Sequence, residues 1–270
     1  MKMIPDQIQK WVPGIYKTLG TDGYGRSDSR AALREHFEID ARFIALSTLN
    51  ALAEKGDIEK RDVVKAIKKY KIDPKKTGLL VIDMQNCFIV PGLSIVEVPG
   101  VEKIAPNINA LANSMRTVGG KVLWTEHVYT PGWSSWYDHF TDKESRESIV
   151  KDTAKGSYAR EIWKGMDKRS EDLLITKTRS SALTSGSSNL GEVLENLEID
   201  TLIITGTLTN VCCESTARDA MLLNYKTIFV GDATGTRSDE EHNATLINMM
   251  QFFADLRMTK DTIDLIENSS

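Results

Sequence analysis

Three cysteines are all that the 270 residues contain: Cys87, Cys212 and Cys213, an odd number with no C-x-x-C pair. That scarcity argues against a disulfide framework and against a cysteine-rich zinc site, and leaves thiol chemistry open. Neither sign of charge dominates. Thirty-four basic residues against 38 acidic ones give a formal net charge of -4, which supplies no general electrostatic reason to hold nucleic acid or an anionic membrane. No apolar run approaches the roughly 18 to 20 residues needed to cross a bilayer, and "MKMIPDQIQKWVPG" has no long apolar segment of the kind a secretion signal carries. There is no internal repeat and no low-complexity linker. The expectation is a cytoplasmic chain whose partner is a small molecule, with no nucleic acid and no membrane.

What is present is a globular composition, 41% hydrophobic and 27% charged, enough for one sizeable core, or one core with a small appendage. From residue 77 onward short apolar runs recur, each ending in a polar residue or glycine. They are "GLLVID" to Asp83, "KVLWTEH" to His127, "DLLITK" to Lys177, "TLIITG" to Gly206 and "KTIFVGD" to Asp232. Continuous runs of this length read as strands buried on both faces. Helical patterns separate them: "VEKIAPNINALANSMRTVGG", "SNLGEVLENLEI", "CESTARDAMLLNY" and "EEHNATLINMMQFFADL". The alternation predicts an α/β fold, a doubly wound and mostly parallel sheet in a three-layer α/β/α arrangement, with sites at the carboxyl ends of the strands. Residues 1–76 read differently, as a loose arm followed by two helices with no strand. The division expected is therefore an N-terminal helical extension, 1–76, and a catalytic-type domain, 77–270.

Asp83 and Lys177 stand at two predicted strand ends, and the two adjacent cysteines follow a third. If "TLIITG" is a strand and "CESTARDAMLLNY" a helix, both thiols lie at a strand-to-helix turn, where unpaired N–H groups and the helix dipole favour a thiolate. Helical phase puts Cys213 on a stripe with Ala217, Ala220, Met221 and Asn224, and Cys212 on a more polar one with Thr216 and Asp219. Cys213 then reads as core and Cys212 as site, although free cysteines are mostly small buried hydrophobes. A carboxylate beside a thiol can take its proton if an ammonium balances the charge, and Asp83 and Lys177 supply that pair.

The segments "LLVIDMQNCF", "LLITKTRSSAL", "IITGTLTNVCCESTARDA" and "VGDAT", in that order, resemble the isochorismatase-like cysteine hydrolases, and most of all their ureidoacrylate and N-carbamoyl amidohydrolase branch. The resemblance implies Asp83 as general base, Lys177 as the catalytic lysine and Cys212 as nucleophile. It also implies a cis peptide between Thr207 and Leu208, an oxyanion hole of the Leu208 and Cys212 N–H groups, and a homo-oligomer, dimer or tetramer.

The activity this implies is hydrolysis of a small amide or ureido C–N bond through a thioester, with no cofactor. Glu126, His127, Asp138 and His139 lack the D-x-H arrangement of the metal-binding relatives, so no metal is expected. Two other readings stand beside it: vinyl-ether hydrolysis of the isochorismatase type, and a non-catalytic scaffold for assembly. Arg179 is a candidate for a substrate carboxylate or a plain strand-end charge. Phe88, Trp124, His127, Trp136 and Tyr137 are candidates for the pocket wall, the aromatic ones alternatively core.

Overall fold

A computed structural model describes residues 55–56, 72–130 and 135–269, with backbone only at 135–137. The helices and loose arm expected before residue 72 lie outside the described residues. The chain divides into two compact units, Met1–Lys71 and Ile72–Ser270.

The centre of the second unit is a six-stranded parallel sheet in the order β3-β2-β1-β4-β5-β6. The strands are β1 Thr77–Ile82, β2 Lys121–His127, β3 Leu173–Lys177, β4 Thr201–Thr207, β5 Lys226–Gly235 and β6 Asp255–Arg257. Every residue of β1 and of β4 is buried, which is why these two read as unbroken apolar runs: a central parallel strand has no solvent face to alternate with. The predicted doubly wound fold is the one observed. The chain winds outward from β1 through β2 to β3, then returns to the other side of β1 with β4. The winding therefore reverses between β1 and β4, the crevice where open α/β sheets build their sites.

Two apolar layers cover the sheet. On one face Leu79, Val81, Trp124 and Ile203 pack under the helix α2, Ala105–Thr117, through Ile108, Leu111 and Met115. A short helix, α1 (Asn86–Ile89), precedes it and contributes Phe88 to the same layer. Between β2 and β3 lie α3 (Ser135–Phe140) and α4 (Lys143–Asp152), the latter opened by Asp142, whose carboxylate accepts the Ser145 N–H. On the opposite face Leu80, Ile82, Leu123 and Ile204 pack against α5 (Leu190–Asn196) and α6 (Glu214–Leu222).

Two details differ from the sequence reading. The last predicted helix stops sooner: α7 spans Asp239–Asn248, loosens into a π-helical turn at Met249–Phe253, and gives way to β6 before α8, Thr259–Glu267. A three-residue edge strand carries too little pattern to be seen in advance. The stripe assigned to Cys213 is also shorter than expected. Ala217 and Ala220 are fully buried, but α6 ends at Leu222, Met221 is half-buried, and Asn224 lies past the helix end, exposed and with φ of 68°. Among the described residues no helix is long and apolar enough to cross a membrane.

Candidate active site

The crevice is built by a close approach of β1 and β4. Gly206 pairs with Ile82 in register and has a φ of 109°; a Cβ there would lie 2.1 Å from the Ile82 carbonyl oxygen. Only glycine allows the contact, and the residue after Ile82 is Asp83. Asp83 itself has a φ of 52°, a left-handed conformation uncommon outside glycine, and such residues persist where their surroundings enforce them. Here the enforcement comes from Thr125 on β2, whose hydroxyl accepts the Asp83 N–H at 3.1 Å and donates to Asp83 Oδ1 at 2.6 Å.

Across the sheet, β2 and β3 end together with His127 opposite Lys177. The lysine is wholly buried, yet its ammonium is surrounded by acceptors: Asp83 Oδ2 at 2.7 Å, His127 Nδ1 at 2.9 Å, the Arg179 carbonyl at 3.0 Å and Cys212 Sγ at 3.4 Å. Burial disfavours the charge, but Asp83 and then Cys212 outweigh it and hold Lys177 above the ordinary lysine value. Asp83, Lys177 and Cys212, predicted from three separate segments, thus converge on one point.

Cys212 does not open an α-helix. It sits in a π-helical turn, Thr209–Cys213, that leads into α6, and the Thr207–Leu208 peptide just before this turn is cis. The N–H groups of Val211 and Cys213 both donate to the Leu208 carbonyl, which closes the turn. The two thiols diverge: Cys212 faces Lys177, while Cys213 lies 3.8 Å from the Thr205 carbonyl within the apolar layer. Burial pushes the Cys212 thiol up to about 12, the Lys177 ammonium lowers it only partly, and the Asp83 carboxylate raises it further. Desolvation of the sulfur exceeds what one ammonium returns when that ammonium is already paired.

The segment after Asp83 is fixed from both sides. Gln85 accepts the His127 backbone N–H at 2.7 Å and donates to the carbonyls of His127 and Arg160, and Asn86 donates to the Tyr158 carbonyl. Neither Thr125 nor Gln85 was singled out from the sequence as a site residue. The available signal was strand alternation, since Thr125 shares a face with His127 two residues on.

Of the other candidates, Trp124 and Phe88 belong to the core rather than a pocket wall. Both lie in the apolar layer on the sheet face opposite Cys212, and the Trp124 indole N–H is satisfied by Asp172 at 2.9 Å. β3 ends at Lys177, so the alternation that would aim Arg179 with it does not apply; the Arg179 guanidinium is half-buried and donates to the Thr178 carbonyl. The side chains of Trp136 and Tyr137 lie outside the described residues. Glu126 is engaged by Arg160 at 2.6 Å and by the Thr176 hydroxyl, and among the described residues no group of three or more His, Cys, Asp or Glu is arranged to hold a metal ion.

The sequence pattern of the Isochorismatase domain matches residues 77–261. The chain belongs to the isochorismatase family. Ureidoacrylate amidohydrolase RutB of Caulobacter vibrioides is 31% identical to this family member over 206 residues, 70% of this chain and 91% of that protein. A cysteine hydrolase from Pseudomonas syringae pv. phaseolicola 1448A shares the fold, with a TM-score of 0.66 at 24% identity, over 74% of this chain and 96% of that one. A separate likeness, not read from the sequence, is to the pyruvate dehydrogenase E1 component of Pseudomonas aeruginosa. It is 56% identical over 81 residues, 30% of this chain, and the chain spans only 9% of that protein's length.

Proposed function

We propose that this isochorismatase-family hydrolase is a cysteine-dependent amidohydrolase that cleaves a small amide or ureido C–N bond through a thioester on Cys212. The observation that carries the reading is the buried Lys177 ammonium lying 2.7 Å from Asp83 and 3.4 Å from the Cys212 sulfur. A thiol pushed up to about 12 is a poor nucleophile at neutral pH unless a base takes its proton as it attacks. Asp83 is that base. As the proton leaves Sγ for the carboxylate, Lys177 stabilises the thiolate that forms, and the net charge of the buried group stays constant.

The sulfur then adds to the substrate carbonyl carbon, and the oxyanion is taken by the N–H groups of Leu208 and Cys212. Collapse expels ammonia or an amine, which receives the proton held by Asp83. Water, deprotonated by the same carboxylate, attacks the thioester and releases the acid. The resemblance to ureidoacrylate amidohydrolase supports a ureido or carbamoyl substrate, and Arg179, whose backbone carbonyl meets the Lys177 ammonium, is the group proposed to meet a substrate carboxylate.

The test is ammonia release across a panel of small amides and ureido acids, with isochorismate as a parallel substrate. Turnover of a ureido acid that disappears in Cys212→Ala supports the reading. Cleavage of isochorismate that survives in Cys212→Ala, with none of the amides turned over, replaces it with vinyl-ether hydrolysis. No turnover together with a Cys212 inert to iodoacetamide leaves the scaffold reading.

A further inference from the structure

The Lys177 ammonium has three protons and four acceptors, at 2.7, 2.9, 3.0 and 3.4 Å. One acceptor must go without at any moment, and the identity of the odd one decides what the lysine does for the thiol. Two of the four are unable to change protonation in the proposed reaction, the Arg179 carbonyl and His127 Nδ1. The other two, Asp83 and Cys212, exchange a proton.

We infer that His127 is a positioning residue, a neutral imidazole protonated on Nε2, whose Nδ1 lone pair and the Arg179 carbonyl hold two ammonium protons while the third passes between Asp83 and Cys212. The inference rests on the proposed role of Lys177 toward the thiol. In the resting site the third proton points to the Asp83 carboxylate. Once Asp83 has taken the thiol proton, the carboxylic acid is the weaker acceptor and the thiolate the stronger, so the same N–H swings to sulfur. No proton leaves the lysine, and the ammonium does not have to move its other two bonds.

Geometry fixes His127 for this task. It ends β2 directly opposite Lys177, its backbone N–H is tied to Gln85 Oε1 at 2.7 Å, and its ring stands edge-on to Tyr129 with centroids 4.3 Å apart. An ammonium has no lone pair, so the nitrogen facing it must be the unprotonated one. The surrounding charges agree. Burial, then Lys177, and more weakly Arg179 oppose an imidazolium, Asp83 and the Arg179 backbone favour one, and the balance carries the ring down to about 3. It is therefore neutral wherever the enzyme is folded near neutral pH.

The tautomer is read directly by nitrogen NMR of the full-length protein with labelled histidine, the His127 signals being assigned by their loss in His127→Asn. The expected pattern is an unprotonated, hydrogen-bonded Nδ1 with a protonated Nε2, unchanged from about pH 8 to about pH 5. An Nδ1-protonated ring, or one that titrates in that interval, overturns the inference. This reading needs no turnover, so it stands or falls apart from the choice of substrate.

A second measurement addresses the consequence for the thiol. Asn keeps an acceptor near the Nδ1 position and Leu keeps the bulk without one. The rate of Cys212 alkylation across pH is expected to fall about tenfold or more in His127→Leu, with its midpoint displaced upward, and to stay within about threefold of wild type in His127→Asn. A Leu variant with the wild-type profile, or an Asn variant as impaired as Leu, overturns it.

Discussion

Lys177 and Asp83 meet at 2.7 Å with neither side chain exposed to solvent. A buried pair of this kind returns little net stability over apolar residues of the same shape, but removing one partner strands the other. Lys177→Met is therefore expected to cost about 3 to 5 kcal/mol in urea unfolding, because the buried Asp83 carboxyl is left without its partner. Asp83→Asn strands the ammonium and is expected to destabilise as well as to lower turnover by orders of magnitude. The double variant should be more stable than the sum of the two losses predicts. Additive losses would show that the two charges do not compensate each other.

The adjacent thiols face different surroundings, one the Lys177 ammonium and the other the apolar layer beside Ala217 and Ala220. Cys212→Ala is expected to abolish turnover. Cys213→Val is expected to keep most of it, being a change of similar volume in a packed layer and costing less than about 1.5 kcal/mol. Steady-state kinetics on both variants checks this, and comparable losses in the two would remove the distinction.

The sheet was legible because its strands are central. β1 and β4 are buried throughout, and such strands have no choice but an unbroken apolar run. The site was legible for a related reason, since Asp83 directly follows a strand, Lys177 ends one and Cys212 lies in the turn after a third. What was hidden depends on distance rather than order. Trp124 reads equally as pocket wall or core until its indole is found on Asp172. The protonation of Cys212 turns on burial, which a helix-start argument does not contain. Thr125 holds Asp83 through two hydrogen bonds and Gln85 ties His127 and Arg160 through three, and no spacing in one chain announces partners 42 and 75 residues away.

Gly206 gives the sharpest backbone prediction. Its φ of 109° and the 2.1 Å approach of a hypothetical Cβ to the Ile82 carbonyl leave no room for a methyl group unless β1 and β4 part, and those strands carry Asp83 and the nucleophile turn. Gly206→Ala is expected to lower the unfolding free energy by more than the roughly 1 to 3 kcal/mol of an unfavourable backbone conformation alone. Whatever protein does fold should react with iodoacetamide at an altered rate. A variant with wild-type stability and reactivity would mean that the two strand ends do not need this contact.

Acid stability tests the state of His127 from the thermodynamic side. Its folded value, about 3, lies below the ordinary 6.5, so between those two pH values the unfolded chain binds the proton that the native ring refuses. Stability from this group is therefore fully present above about pH 6.5 and is lost as pH falls toward 3. The ceiling on the slope is about 1.4 kcal/mol per pH unit, or roughly 2 to 3 kcal/mol between about pH 6.5 and pH 4.5. That window lies mostly above the range in which the depressed carboxylates Glu126, Asp167 and Asp172 take up protons. His242, also held below its usual value by burial, contributes to wild type and variant alike. The quantity to measure is therefore the difference in unfolding free energy between wild type and His127→Asn, which keeps an acceptor for Lys177 but has nothing to titrate. Wild type is expected to lose stability faster than the variant as pH falls through this window. Parallel curves would show that the folded protein accepts a proton on His127 as readily as the unfolded chain does.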